Sequence, residues 1–152
     1  MINRRSSVVL LLSFALGCAG TVPNTLGVQA SGSLGGCPDS PNCVSSADER
    51  PSHNVAPIQL AGDSEQGWVE ILASVAALPR TTVIESDGQY VHAESTSSLM
   101  GYVDDLELLL DPSSGRVDVR SASRLGYGDM GVNAARVQSL RDLLSAESTN
   151  NR

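Results

Sequence analysis

Apolar residues recur with two different periods in the second half of this chain, and the switch between them marks out the elements. Trp68, Ile71, Leu72, Val75 and Leu78 return every three or four residues. That spacing predicts one face of an amphipathic helix, capped near Ser64 and Gly67 and ended by Pro79. Beyond it the period falls to two. Residues 81–85, 90–94, 102–110 and 116–122 read as four strands, separated by the turn sequences Asp87-Gly88 and Asp111-Pro112-Ser113-Ser114-Gly115. Turns this short join antiparallel neighbours, so the strands form a meander. After a glycine-rich link, Asn133 is placed to cap a second helix, and Val137, Leu140, Leu143 and Leu144 supply its stripe. The expected fold class is α+β: a four-stranded antiparallel meander with both helices on one face.

Alternation also sorts the strand residues by side. Val91, Ala93, Leu106, Leu108, Leu110, Val117 and Val119 share the side that meets the helices. The other side carries Tyr90, His92, Glu94, Asp105, Glu107, Asp118 and Arg120. One His among carboxylates suggests a metal site or an acid–base pair. The competing expectation, and the preferred one, is a solvated face on which charges offset one another across strands. Catalytic metal sites usually include more than one His, so neither a metal nor a cofactor is expected.

Upstream of the first helix the periodicity is lost. Pro38, Pro41, Pro51 and Pro57 punctuate an irregular Cys- and Pro-rich arm that is expected to pack on the domain. Residues 18–36 are small, turn-forming and uncharged, and read as a flexible tether with little fixed structure. In residues 1–17, Arg4 and Arg5 precede an uncharged run over 8–16, the order of parts in a signal peptide. The run is too short for a stable membrane span. Phe14-Ala15-Leu16-Gly17-Cys18 resembles a bacterial lipobox. That resemblance implies a lipoprotein whose acylated (palmitate-type) Cys18 holds it on a membrane. Ala19 in place of Asp points to the periplasmic side of an outer membrane where the host has one. The alternative is ordinary cleavage after Gly17 or Ala19, releasing a soluble periplasmic or secreted protein.

Loss of residues 1–17 removes two arginines and no acid, moving the net charge from -7 to -9. Every basic residue is Arg, and these are not gathered into the stripe that nucleic acid requires, so that partner is set aside. Cys37 and Cys43 are expected to form a disulfide in an oxidising compartment, contributing about 2 kcal/mol for so short a ring. A metal or redox role with His53 is the alternative, weakened because zinc wants four ligands and redox pairs use a two-residue spacer. The tail, residues 146–152, is polar and expected to fray.

Gly126 to Gly131 spells G-x-G-x-x-G, but the parallel strand-helix-strand context that makes this a dinucleotide site is missing. A weaker expectation is an anion at the helix start, flanked by Arg120, Arg124 and Arg136. The preferred one is that these arginines bond Asp104, Asp105 and Asp129 and brace the loop.

Several motifs together carry a resemblance: Cys-Pro-Asp-Ser-Pro-Asn-Cys-Val-Ser-Ser at 37–46, His53 with Pro57, and Tyr-Val-His-Ala-Glu at 90–94. Val-Asp-Asp-Leu-Glu at 103–107, Arg-Ser-Ala-Ser-Arg-Leu-Gly-Tyr at 120–127 and Gly131-Val132-Asn133 complete the set. Over residues 37–145 the chain resembles the domain of unknown function 1499 family. Gly128 departs from it where a serine is usual, and Ala134 where an arginine is common. The resemblance implies an exported, lipid-anchored or membrane-associated protein and supplies no activity.

Two function classes follow. The first is a non-enzymatic envelope domain that binds a small ligand, a lipid or a protein. The second is a hydrolase using His92 with Glu94, Asp105 or Glu107, and Ser121 or Ser123 as nucleophile. The polar set to examine is therefore His92, Glu94, Asp105, Glu107, Arg120, Ser121, Ser123 and Arg124. A pocket joining His92, Arg120 and a serine would favour the enzyme.

Overall fold

The computed structural model describes residues 19–150, with side chains as far as Glu147. The signal-peptide reading of residues 1–17 and the lipidation of Cys18 fall outside the described residues.

Asp63, rather than Ser64, opens the first helix. Its Oδ1 accepts from the amides of Glu65 at 2.8 Å and Gln66 at 3.0 Å, so α1 runs Ser64–Ala77. Pro79 forces Leu78 into an extended conformation, and the helix stops there. The meander follows as β3 (Thr81–Asp87), β4 (Tyr90–Thr96), β5 (Val103–Asp111) and β6 (Arg116–Ser123). Gly88, at φ 55, supplies the left-handed residue that the tight β3–β4 turn needs. The second helix, α2 (Val132–Asn150), joins α1 on one side of the sheet. Ile71 and Val75 of α1 and Val137 and Leu140 of α2 bury against Val91, Ala93, Leu106, Leu108, Leu110, Val117 and Val119, the seven strand residues that alternation assigns there.

The sheet has six strands, not four. The arm adds β1 (Cys43–Ser45) and β2 (Ile58–Gln59), both antiparallel to β6, opposite residues 120–122 and 116–117. The order is β1-β6-β5-β4-β3, with β2 also on β6. Runs of two and three residues are too short to show a period. Cys37 and Cys43 are disulfide-bonded, with Cα atoms 5.6 Å apart. Asn42, inside that ring, is buried and donates from Nδ2 to Gly126 O at 2.6 Å, tying the ring to the β6–α2 loop. His53 is buried within the arm, its Nδ1 at 2.8 Å from Ser52 Oγ and its Nε2 at 3.3 Å from Ser40 O.

Helix α2 runs on to Asn150, so residues 146–150 continue the helix where a frayed tail was expected. Ser145 Oγ donates to Arg141 O at 2.8 Å, and Glu147 accepts from Ser74 of α1 at 3.3 Å, which fastens this turn to its neighbour.

The larger departure concerns residues 19–36. They lie against the second face of the sheet instead of hanging free. Gly27 donates its amide to Glu107 of β5, Gly36 O accepts from Arg120 of β6, and Leu34 is buried. A turn closed by Gln29 N to Ser33 O and Gly32 N to Gln29 O, both at 2.8 Å, gives the segment its own structure.

Candidate functional site

Strand register sets His92 opposite Glu107, Glu94 opposite Asp105, and Glu107 opposite Arg120. Side chains opposite or diagonal on one face are within reach of each other. The polar face accordingly resolves into two groups. Glu107, fully buried, accepts at Oε1 from the Tyr90 hydroxyl at 2.9 Å and from the Gly27 amide at 2.7 Å. Its Oε2 accepts from Arg120 Nη1 at 2.8 Å, and Arg120 Nε donates to Gly36 O at 3.4 Å.

The second group centres on Asp105. Arg124 grips it with two donors, Nη2 to Oδ1 at 2.7 Å and Nε to Oδ2 at 2.9 Å, the bidentate geometry of a strong pair. Nε2 of His92 lies 2.8 Å from the same Oδ1, and Arg124 also donates to Glu94 at the rim. Burial alone would raise the Asp105 pKa, yet the bonds from His92 and Arg124 outweigh it and hold the carboxyl below its usual range. The bond to Asp105 in turn raises the Arg124 pKa. Burial, and then the neighbouring Glu107 charge, push the Tyr90 hydroxyl well above its ordinary value.

Most of this face is buried, whereas a solvated one was expected. Tyr90, His92, Asp105, Glu107 and Arg120 are all buried, and Asp118 is half-buried beside Ser46 and Arg116. Residues 26–36 lie over its Glu107–Arg120 part, and Gly35 lets the segment fold closely against its own Thr25. A Cβ at Gly35 would come within 2.4 Å of Thr25 O, a backbone atom that cannot swing aside. Gly35→Ala should therefore lift the segment and speed hydrogen exchange at the Gly27 amide. An unchanged exchange rate would mean that the segment is not held this way.

Ser121 and Ser123 lie on the opposite side of the sheet, under α2. Ser121 Oγ donates to Asn133 Oδ1 at 2.6 Å and accepts from Arg136 Nη1 at 2.9 Å, while Ser123 Oγ accepts from Asn133 Nδ2 at 2.9 Å. Among the described residues no serine bonds to His92. The sheet separates the expected base from the expected nucleophiles.

Asn133 is a buried hub rather than a cap. Its Nδ2 also reaches Asn42 O at 3.0 Å and Asp129 Oδ2 at 2.8 Å. The cap is Asp129, whose carboxylate takes the amides of Gly131 and Asn133, each at 2.9 Å. Partial burial would raise the Asp129 pKa, but these amide bonds prevail and hold it low. The amides that an anion would need are thus already used. Arg136 bonds Asp104 at 2.5 Å and Arg124 bonds Asp105, as the bracing reading expects, whereas Arg120 turns to Glu107.

One donor atom from each of His92, Glu94 and Asp105 lies within 4.8 Å of the others, near enough to hold a metal. The Arg124 guanidinium already bonds both carboxylates, so a metal there would have to displace a cation fixed in the fold. Cys37 and Cys43, bonded to each other, leave no thiolate for His53 to join. A cleft of about 790 Å³ opens at the Tyr90 end of the polar face, between residues 27–32 and the sheet. Glu85, Leu109, Arg116 and Asp118 line it; Tyr90 and Asp118 belong to the polar face expected from alternation, but none of the eight residues of the expected polar set lines the cleft.

No curated protein and no solved structure matches the chain. The family model described as protein of unknown function (DUF1499) matches residues 33–144, from the edge of the covering segment through the disulfide ring and the sheet into α2, and the chain belongs to that family.

Proposed function

We propose that this chain is an exported, lipid-anchored and non-enzymatic domain of the cell envelope. Cys18 fastens it to a membrane, on the periplasmic side of an outer membrane where there is one, and the folded part receives a small ligand, a lipid or a protein. The observation that carries the non-enzymatic reading is the closure of the polar face. Each buried side chain there that chemistry would use is bonded to a fixed partner, and Gly27 and Gly36 of the overlying segment bond Glu107 and Arg120. A general base must come within hydrogen-bond reach of its substrate, and the buried His92 offers no such approach. The cleft beside Tyr90 falls in the size range of small-molecule sites and is the natural place for a ligand. The Cys37–Cys43 bond supports an oxidising compartment.

Purification of the full chain from cell envelopes tests this reading. Intact mass should give an acylated Cys18 as first residue, native spectra should retain any bound species, and a fluorophosphonate probe should leave Ser121 and Ser123 unlabelled. Recovery from the cytosol with Met1 in place and both later thiols open to alkylation would sink the exported reading. A labelled serine would restore the hydrolase.

A further inference from the structure

The end of the domain where residues 97–102 and 124–131 turn is apolar. These loops are neighbours, since the Arg124 amide donates to Val103 O at 3.1 Å, and Ser97, Ser98 and Val132 line one small cleft with Arg80. Leu99 is 89% exposed, Tyr127 78% and Met130 101%, with Met100 at 53% beside them. Single apolar residues on a surface are ordinary, but a group of them on adjoining loops marks a contact surface. No residue of 97–102 is charged. The two charged residues of 124–131 turn inward, Arg124 to Asp105 and Glu94, and Asp129 to the first amides of α2.

Charge gathers at the other end of the sheet. Asp63 and Glu65 at the start of α1, Glu85 and Asp87 before the β3–β4 turn, and Asp111 before the β5–β6 turn are all exposed there. Carboxylates predominate at that end, with Arg116 among them, and exposed apolar side chains predominate on the loops at the other, where Asp39 of the neighbouring disulfide ring is the exposed acid, paired with Arg50. The described chain begins at the apolar end: a Cβ on Gly20 would lie 2.8 Å from Arg124 Cβ and 3.0 Å from Leu125 Cγ. Cys18 is two residues earlier, a reach of at most about 7 Å.

We propose that the loops 97–102 and 124–131 sit in the headgroup–acyl boundary of the membrane to which Cys18 is anchored. This rests on the lipid-anchored reading and adds a fixed orientation to it. Tyr127 has the ring and hydroxyl that suit a membrane interface, and Leu99 and Met130 supply apolar area just beyond it. Arg80, exposed at the same end, faces anionic headgroups, while the acidic far end lies more than a Debye length away in solvent.

The test uses the full chain, processed in bacterial cells and reconstituted in phosphatidylethanolamine–phosphatidylglycerol vesicles, with Met130→Trp as reporter and Asp87→Trp as a far-end control. Trp68 is buried and adds the same background to both. With Cys18 acylated by mass, the Met130→Trp reporter should be quenched by lipids brominated in their acyl chains. Its quenching by aqueous iodide should be about fivefold weaker than at Asp87→Trp. Equal iodide quenching at the two positions on acylated protein overturns the inference and leaves the anchor standing. Shielding from iodide without bromolipid quenching means that a second copy or another protein covers the loops, and also overturns it. An unacylated Cys18 removes the anchor and the inference together, and the mass shows which has failed.

Discussion

Glu107→Ala is expected to cost about 3–5 kcal/mol of folding stability, because it strips a buried cation of its partner. Arg120 would keep only the long bond to Gly36 O, and both the Tyr90 hydroxyl and the Gly27 amide would lose their acceptor. An unpaired buried charge is worse than no charge. Replacing the pair together, as Glu107→Leu with Arg120→Met, should therefore recover much of the loss that either single change causes. Urea unfolding with an unchanged denaturant slope reads both. A loss below about 1 kcal/mol for Glu107→Ala would show that water reaches this face and that residues 26–36 do not seal it. The covering segment should also loosen in the single variant, since Gly27 is held by the carboxylate that is removed.

The helix-facing half of the domain was legible because burial there is written in side chains. Leu106, Leu108 and Leu110 fall at every second position, and Trp68, Ile71 and Val75 keep helical spacing, so both patterns pointed to one core. The composition of the second face was equally plain from the same alternation. Its burial was not. What covers it is held through backbone groups, the amide of Gly27 and the carbonyl of Gly36, which every sequence possesses. A Gly- and Ser-rich run thus reads as a tether even where it is packed. The caps were misplaced by a similar blindness. Asp63 sits one residue before Ser64 and Asp129 four before Asn133, residues that also cap well, and only geometry shows which side chain takes the amides. The separation of His92 from Ser121 was available in principle, because placing Arg120 on the polar face puts Ser121 on the other.

The second large effect lies at Asp105, and pH distinguishes it from ordinary loss of packing. Its carboxyl has a lower pKa in the folded chain than when unfolded, burial notwithstanding, through the bonds from His92 and Arg124. A group depressed on folding stabilises fully above its unfolded value, about 3.9 for Asp, and loses that contribution as pH falls through the folded value. Asp105→Asn preserves the shape but removes the charge that Arg124 grips with two donors. At neutral pH the variant should be less stable by about 3 kcal/mol, the lower part of the range for a broken buried pair, because Arg124 keeps Glu94. Below about pH 4 the gap should narrow, since Asp105 of the unfolded chain takes up a proton that the folded carboxylate resists, whereas the amide titrates in neither state. The variant should still weaken in acid, because Asp129 and Asp111 also have depressed pKa values and remain. Urea midpoints at pH 7 and pH 3 decide the matter. Curves that stay parallel across that interval would mean that the loss comes from shape and not from charge, and that Arg124 and Asp105 do not hold this face together as an ion pair.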